Sequence, residues 1–461
     1  MNFYGSIFLF AVAVLLLTRY PITWFFRRLL KLSSWVTLGV LELLIAGAVL
    51  GYFLTQPFWM DYTGNILVVV IGCLAVIEGL FVIFAESYLR SLTKLILAHY
   101  YRFAIPVAVL LIGLGCYLLL WSYAGDLRDI SNCEGDQHLS VICDVDYPED
   151  LVLTPDSYFF IAPQFGGIGP FVKLENRRPG KLSLVNIAEK TARDLDIRFS
   201  DNTWGDGVCE RSQDDLMEPH GIDLAQRADG TYQLAVVNHY LGDRIEMFEL
   251  VRKDASWMLV WRGCVRVPEV YYLNDISVSD DGSFYTSHMY HPDFTILDFA
   301  LVGLFKYNTG YVMRWDREHG FGQVPGSEGA HPNGLIFDSE RDVLYVAHTL
   351  GDRIDVLDMA TRTILETFRL NSPDNLIMKD GFVWATSWDH EILDTVPCKL
   401  HFPCALPFSI YQLEPITLEL INKWRFNHTK IGMPTVAYPL DGRNWIGAAY
   451  SDRVVFFSIE N

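Results

Sequence analysis

Pro219-His220-Gly221-Ile222, the turn Asp229-Gly230, and Leu234-Ala235-Val236-Val237-Asn238-His239 read as a strand, a tight reversal and a returning strand. Apolar runs separated by Asp-Gly are hairpin chemistry, because glycine accepts the positive φ that the turn needs. The same phrase recurs along the chain. Glu149-Asp150-Leu151, Asn274-Asp275-Ile276, Asn333-Gly334-Leu335, Asp374-Asn375-Leu376 and Thr435-Val436-Ala437 each open an apolar run, and Asp281-Gly282, Asp380-Gly381 and Asp441-Gly442 turn three of them. With His220 that makes six units, their openings about 40 to 70 residues apart, which is the spacing of propeller blades. The repeat predicts an all-β six-bladed β-propeller.

Blades place their innermost strands around a channel. Strands that start at one depth bring Glu149, Asn274, Asn333, Asp374 and Asn375 to a common point on the axis. A lone Asn-Gly or Asp-Asn is ordinary turn chemistry; the pattern counts here because it recurs at one phase of the repeat. The set is all oxygen and carries two negative charges, which suits calcium rather than zinc and leaves coordination positions for water or a substrate carbonyl. His220 and His239 open and close one hairpin beside this point. An imidazole there can take a proton from water. His288 and His291 have a zinc-like spacing, but two ligands make no site, and they are set aside.

The first 124 residues differ in kind. They hold 7 Lys/Arg against 4 Asp/Glu, while residues 125–461 hold 29 against 51, so the acidic net charge of -19 belongs to the second part. An acidic domain excludes nucleic acid as a partner, which requires basic patches. Apolar stretches at 34–54, 65–85 and 103–122, with a shorter one at 4–18, predict an α-helical anchor of three to four transmembrane spans in a bilayer. Segments 19–33 and 86–102 carry all the Lys and Arg of this part and loop 55–64 carries none. The positive-inside rule then makes the protein multi-pass, with the propeller extracytoplasmic. Six cysteines outside the spans suit an oxidising compartment, and Cys133–Cys143 and Cys398–Cys404 are the sequence-local pairs. Glu42 and Glu78 lie inside spans at similar depth, and Asn427-His428-Thr429 is a glycosylation sequon.

Over residues 130–460 the chain resembles the paraoxonase/arylesterase family of calcium-dependent propeller hydrolases. The resemblance rests on Pro219-His220-Gly221-Ile222, Val236-Val237-Asn238-His239, Leu273-Asn274-Asp275-Ile276, Asn333-Gly334, Asp374-Asn375 and Thr435-Val436-Ala437. It implies two calcium ions. Glu149, Asn274, Asn333, Asp374 and Asn375 would hold a catalytic ion, and Asp150, Asp275 and the Ile222 carbonyl a structural one. It also implies a catalytic His220/His239 dyad and a substrate pocket lined by Thr435, with Trp388 standing where the family has a third channel histidine. The family's late cysteine has no counterpart here, and its single N-terminal apolar segment is replaced by three or four.

Two functions follow as expectations. One is a membrane-anchored hydrolase in which water attacks the calcium-polarised carbonyl of a lactone or aryl ester. The other is a non-enzymatic assembly or chaperone factor whose helical anchor docks membrane-protein partners.

Overall fold

The computed structural model describes residues 2–54, 63–123, 130, 132–165, 179–212, 214–240, 242–390, 405–427, 429–431 and 433–459. The Cys398–Cys404 pair, His428 of the sequon and most of loop 55–64 lie outside them. The chain divides into two compact units, Met1–Gly125 and Asp126–Asn461.

The first unit is helical: α1 (Asn2–Leu17), α2 (Tyr20–Leu29), α3 (Val36–Leu54), α4 (Thr63–Phe84), α5 (Glu86–Ala98) and α6 (Tyr100–Tyr123). Segments 19–33 and 86–102, the basic stretches between the apolar ones, are largely the helices α2 and α5. α1 packs along α6, and α3 along α4. Gly39 and Gly79 let α3 and α4 touch, since a Cβ on Gly39 would lie 2.8 Å from the Gly79 carbonyl oxygen. Glu42 and Glu78 flank that crossing. Among the described residues one helix, at Tyr100–Tyr117, is long and apolar enough to cross a membrane, or up to three if each bent helix pair counts as one span; Val36–Tyr52 is shorter. Of the three to four expected spans one is clear by itself, and two others end at sharp bends, at α1/α2 and α4/α5, that lead into the basic helices.

The second unit is a ring of six sheets. Blade 1 is built on Val152–Leu153 and Phe159–Gln164, blade 2 on Pro219–Gln226 and Tyr232–Asn238, and blade 3 on Leu273–Val278 and Phe284–His288. Blade 4 is built on Pro332–Asp338 and Val343–His348, blade 5 on Pro373–Lys379 and Phe382–Trp388, and blade 6 on Pro434–Leu440 and Arg443–Ala448. Within each pair the first-named strand is innermost and meets those of its neighbours. Apolar side chains fill the gaps between blades, as where Val152, Ile161 and Leu184 of blade 1 meet Leu234, Val236 and Phe248 of blade 2. Blade 6 is completed by Ser140–Cys143, antiparallel to Arg453–Ser458, so the beginning of the domain covers the edge at its end. The wholly buried Arg453 fixes that closure by donating to the carbonyls of Ile130 (2.7 Å) and Asn132 (3.3 Å).

Cys133–Cys143 forms the expected bond. Cys209–Cys264 is a second bridge, across 55 residues. Pairing over that distance is set by blade 2 packing and leaves no mark in local spacing.

Glycine is required where innermost strands crowd. A Cβ on Gly334 would lie 2.4 Å from Asn375 Cα and 2.5 Å from the Asp374 carbonyl oxygen. These are backbone atoms and cannot swing aside. Gly334→Ala should destabilise the propeller by about 1–3 kcal/mol, the usual cost of overpacking, read as a lowered midpoint in thermal or denaturant unfolding. An unchanged midpoint would mean that blades 4 and 5 separate freely.

Candidate active site

One backbone device recurs at the head of the innermost strands. Pro148, Pro219, Pro332, Pro373 and Pro434 each stand immediately before a residue of the expected site: Glu149, His220, Asn333, Asp374 and Thr435. Proline brings no N–H to the first strand position, where a ladder bond is not needed. The pairing register then shifts just beyond it, between Pro219 and Ile222, Pro332 and Leu335, Pro373 and Leu376, and Pro434 and Val436, with the same shift between Leu273 and Ile276. A bulge re-aims the side chains it contains. Tyr147, His331, Ser372 and Met433, each directly before one of these prolines, hold φ of 52°, 63°, 34° and 51°. Left-handed backbone at non-glycine residues costs about 1–3 kcal/mol each and gathers at functional sites. The prolines were a signal in the sequence that the hairpin pattern did not use.

The five residues expected around one ion, Glu149, Asn274, Asn333, Asp374 and Asn375, are all at most 3% exposed. Each retains one buried oxygen with no hydrogen-bond partner among the described residues: Glu149 Oε2, Asn274 Oδ1, Asn333 Oδ1, Asp374 Oδ1 and Asn375 Oδ1. Two of the amides are held so that oxygen, not nitrogen, is left over. Asn333 Nδ2 donates to Thr349 Oγ1 at 2.9 Å, and Thr349 in turn donates to the Pro373 carbonyl. Asn375 Nδ2 donates to Glu149 Oε1 at 3.2 Å and to the Glu149 carbonyl at 3.3 Å. Thr349 is a site residue that sequence reasoning missed, since a threonine just past the end of a blade's second strand carries no signal of its own.

Burial, reinforced by the charges of Asp150, Asp374 and Asp275, pushes the Glu149 carboxyl well above its ordinary range. Burial does the same to Asp374 and Asp275, with Asp150 adding to both. Asp150 is pushed up to about 7 and Asp223 to about 6, again by burial first. The influences that oppose these shifts are hydrogen bonds from backbone amides and from Asn375 and Asn333. Acids gathered without a cationic side chain favour a cation from outside.

Asp150 and Asp275 are held differently from the five. All four of their carboxylate oxygens accept backbone amides, Asp150 from Leu151 and Ile222 and Asp275 from Ile276 and Leu335. Asp223, absent from the sequence reading, ties Val278 in the same way. These acids clip blade 1 to 2, 2 to 3 and 3 to 4. Among the described residues no group of three or more His, Cys, Asp or Glu is disposed around one ion. The ring of five contains only two such residues, and its remaining oxygens are amides.

Beside the ring lies a relay. His239 Nδ1 is 2.8 Å from Asp243 Oδ1, so that nitrogen carries the proton. His239 Nε2 then accepts from His220 Nδ1 at 2.9 Å. His220 Nε2 is left as the basic nitrogen, and it lies 3.6 Å from Glu149 Oε1. Phe165 stacks on His220 with ring centroids 4.3 Å apart, and Tyr272 stacks on His239 at 4.6 Å, fixing both imidazoles from their faces. Asp243 also accepts the Leu273 amide at 2.8 Å, directly before Asn274. It was missed because Asp at a hairpin end reads as turn chemistry. Thr435 donates to the Glu149 carbonyl, and Trp388 Nε1 donates to the Pro434 carbonyl at 2.8 Å. Both are buried, and these bonds tie blades 5, 6 and 1 together.

Known proteins match this chain. Human serum paraoxonase/lactonase 3 is 24% identical over 213 residues, which is 46% of this chain and 55% of that relative, so the match spans about half the relative's length. A gluconolactonase from Xanthomonas campestris superposes with a TM-score of 0.39 at 12% identity, covering 72% of this chain and 93% of that one. The periplasmic gluconolactonase of Pseudomonas aeruginosa gives 0.38 at 14%, covering 68% and 81%. Neither superposition bears on the chemistry. The Arylesterase family model matches residues 137–388, more than half of the chain, covering blades 1 to 4 and the two inner strands of blade 5, and the chain belongs to the arylesterase family.

Proposed function

We propose that the propeller is a calcium-dependent hydrolase of lactones or aryl esters, held at a membrane by the helical unit and facing the extracytoplasmic side. The observation that carries this is the set of five buried, partnerless oxygens beside a His-His-Asp relay. Oxygen donors without hydrogen bonds, beneath carboxyls whose ionisation burial opposes, fit a hard divalent cation. Glu149, Asn274, Asn333, Asp374 and Asn375 would hold it. Polarisation of a carbonyl oxygen is the chemistry a calcium ion supplies in such a ring. Asp150, Asp275 and the Ile222 carbonyl would flank a second ion; two buried carboxylates, held only by backbone amides among the described residues, favour it.

The chain's own residues supply the proton chemistry. His220 Nε2 is the group placed to take a proton from an attacking water on the Glu149 side of the channel. His239 fixes the His220 tautomer, and Asp243 fixes that of His239, so the basic nitrogen is set before substrate arrives. The helical unit supports the membrane reading through its one clearly span-length apolar helix and the exposed Leu, Ile, Val and Phe of its neighbours. The test is hydrolysis of lactones and aryl esters by the purified chain with calcium and with chelator. A protein that binds calcium and cleaves none of them would instead be a binding platform for membrane-protein partners.

The buried acids also set a pH dependence. Asp150 and Asp223 keep their protons to about 7 and about 6 in the folded state, against about 3.9 for Asp in an unfolded chain. Between those values the native state binds more protons, so stability falls as pH rises through the window. In chelator the melting temperature should therefore be higher at pH 5 than at pH 8. Saturating calcium should raise it at pH 8 and shrink or invert the gap, because a ligand of the native state stabilises by mass action. Calorimetry at both pH values reads the effect, and identical curves with and without chelator would remove calcium from the fold.

A further inference from the structure

We infer that α2 and α5 form one cationic and aromatic layer that takes the phosphate headgroups of anionic lipids, an inference that rests on the membrane reading above. The seven Lys and Arg of residues 1–124 all lie in or beside these two helices: Arg19, Arg27, Arg28, Lys31, Arg90, Lys94 and Arg102. α2 is bent by 72° from the apolar helix before it, and α5 by 102° from its own. An amphipathic helix turned this far from a span lies along the boundary of the apolar layer.

Arg90 clips the two helices together. Its guanidinium donates to the carbonyls of Leu30 (3.2 Å) and Leu32 (2.8 Å), just past the end of α2, and lies 4.9 Å from the Trp35 ring centroid. The same guanidinium pairs with Glu86 at 2.7 Å. Glu86 is the one acid of segments 19–33 and 86–102, so the clip neutralises it within the layer. Arg27, Arg28, Lys31 and Lys94 are exposed, and Trp24, Phe25 and Tyr88 beside them are 52%, 56% and 64% exposed. Exposed cations alone would suit any acidic partner. Large rings interleaved with them are the signature of headgroup depth, where the ring enters the apolar boundary and the cation meets phosphate.

The full chain, reconstituted in phosphatidylcholine vesicles, should associate several-fold more with spin-labelled phosphatidylglycerol than with spin-labelled phosphatidylcholine. Salt should reduce the preference, and soluble glycerol phosphate should not displace the labelled lipid. Replacing Arg27, Arg28, Lys31 and Lys94 together by Gln should bring the two lipids to parity, while Arg27→Lys with Arg28→Lys should retain the preference. Parity in the unaltered chain, a preference that survives the four Gln substitutions, or full displacement by glycerol phosphate would overturn the inference. A preference replaced by capture of an acidic peptide at equal lipid affinity would assign the layer to protein instead and overturn it as well. Extraction of the chain from vesicles by alkaline carbonate separates the cases, since release there brings down the membrane reading and this inference with it.

Discussion

Asn333→Ala is expected to abolish calcium binding in the ring and, with it, hydrolysis. The argument is geometric. Asn333 Nδ2 donates to Thr349, so Oδ1 is the atom left without a partner among the described residues, and Ala removes it from a set of five in which only Glu149 and Asp374 bring charge. Calcium takes six to eight oxygens, and a ring that starts with five has none to spare. Thr349→Val keeps the oxygen but releases its orientation, and outer-sphere losses of this kind weaken metal affinity about 10–100-fold. Titration of the chelated protein with calcium, alongside turnover, orders the three proteins: native tightest, Thr349→Val weaker, Asn333→Ala without binding in the ring. Full calcium affinity in Asn333→Ala would place the ion elsewhere, and Asp150 with Asp275 would become the first candidates.

How legible this site was depends on the range over which each residue acts. Glu149, His220, Asn274, Asn333, Asp374 and Thr435 open strands of one repeat, so their convergence is a consequence of blade geometry and can be read from phase alone. Register shifts occur at five of those positions, all but Glu149. Asp243 and Thr349 act only through hydrogen bonds to other site residues and to neighbouring strands, and an Asp or Thr in a loop looks like any other. Cys209–Cys264 is hidden for the same reason. The helical unit misled in another way. Hydropathy located its apolar stretches and the basic segments that follow two of them, but not the angles of 72° and 102° between the helices these form, because the direction of a chain at a junction is set by packing and not by composition.

His220→Asn is expected to lower turnover ~10²–10⁴-fold, the usual worth of a positioned general base, while leaving calcium affinity, KM and melting temperature close to native. Asparagine is near in size to the imidazole, and its amide can still reach His239, so the channel wall persists without a basic nitrogen beside Glu149. Asp243→Asn should fall between the two proteins. It keeps the shape of the relay but no longer requires the proton to sit on His239 Nδ1, so a fraction of molecules holds His220 in the wrong tautomer. The ordering distinguishes a proton relay from a structural hydrogen-bond chain: a chain that only braces blade 2 would lower stability in both variants and spare turnover at a temperature where both are folded. Native turnover in His220→Asn on every ester and lactone the protein cleaves would remove the dyad from the chemistry. Asp374, buried in the ring with its carboxyl pushed above the ordinary range, would then be the base to test.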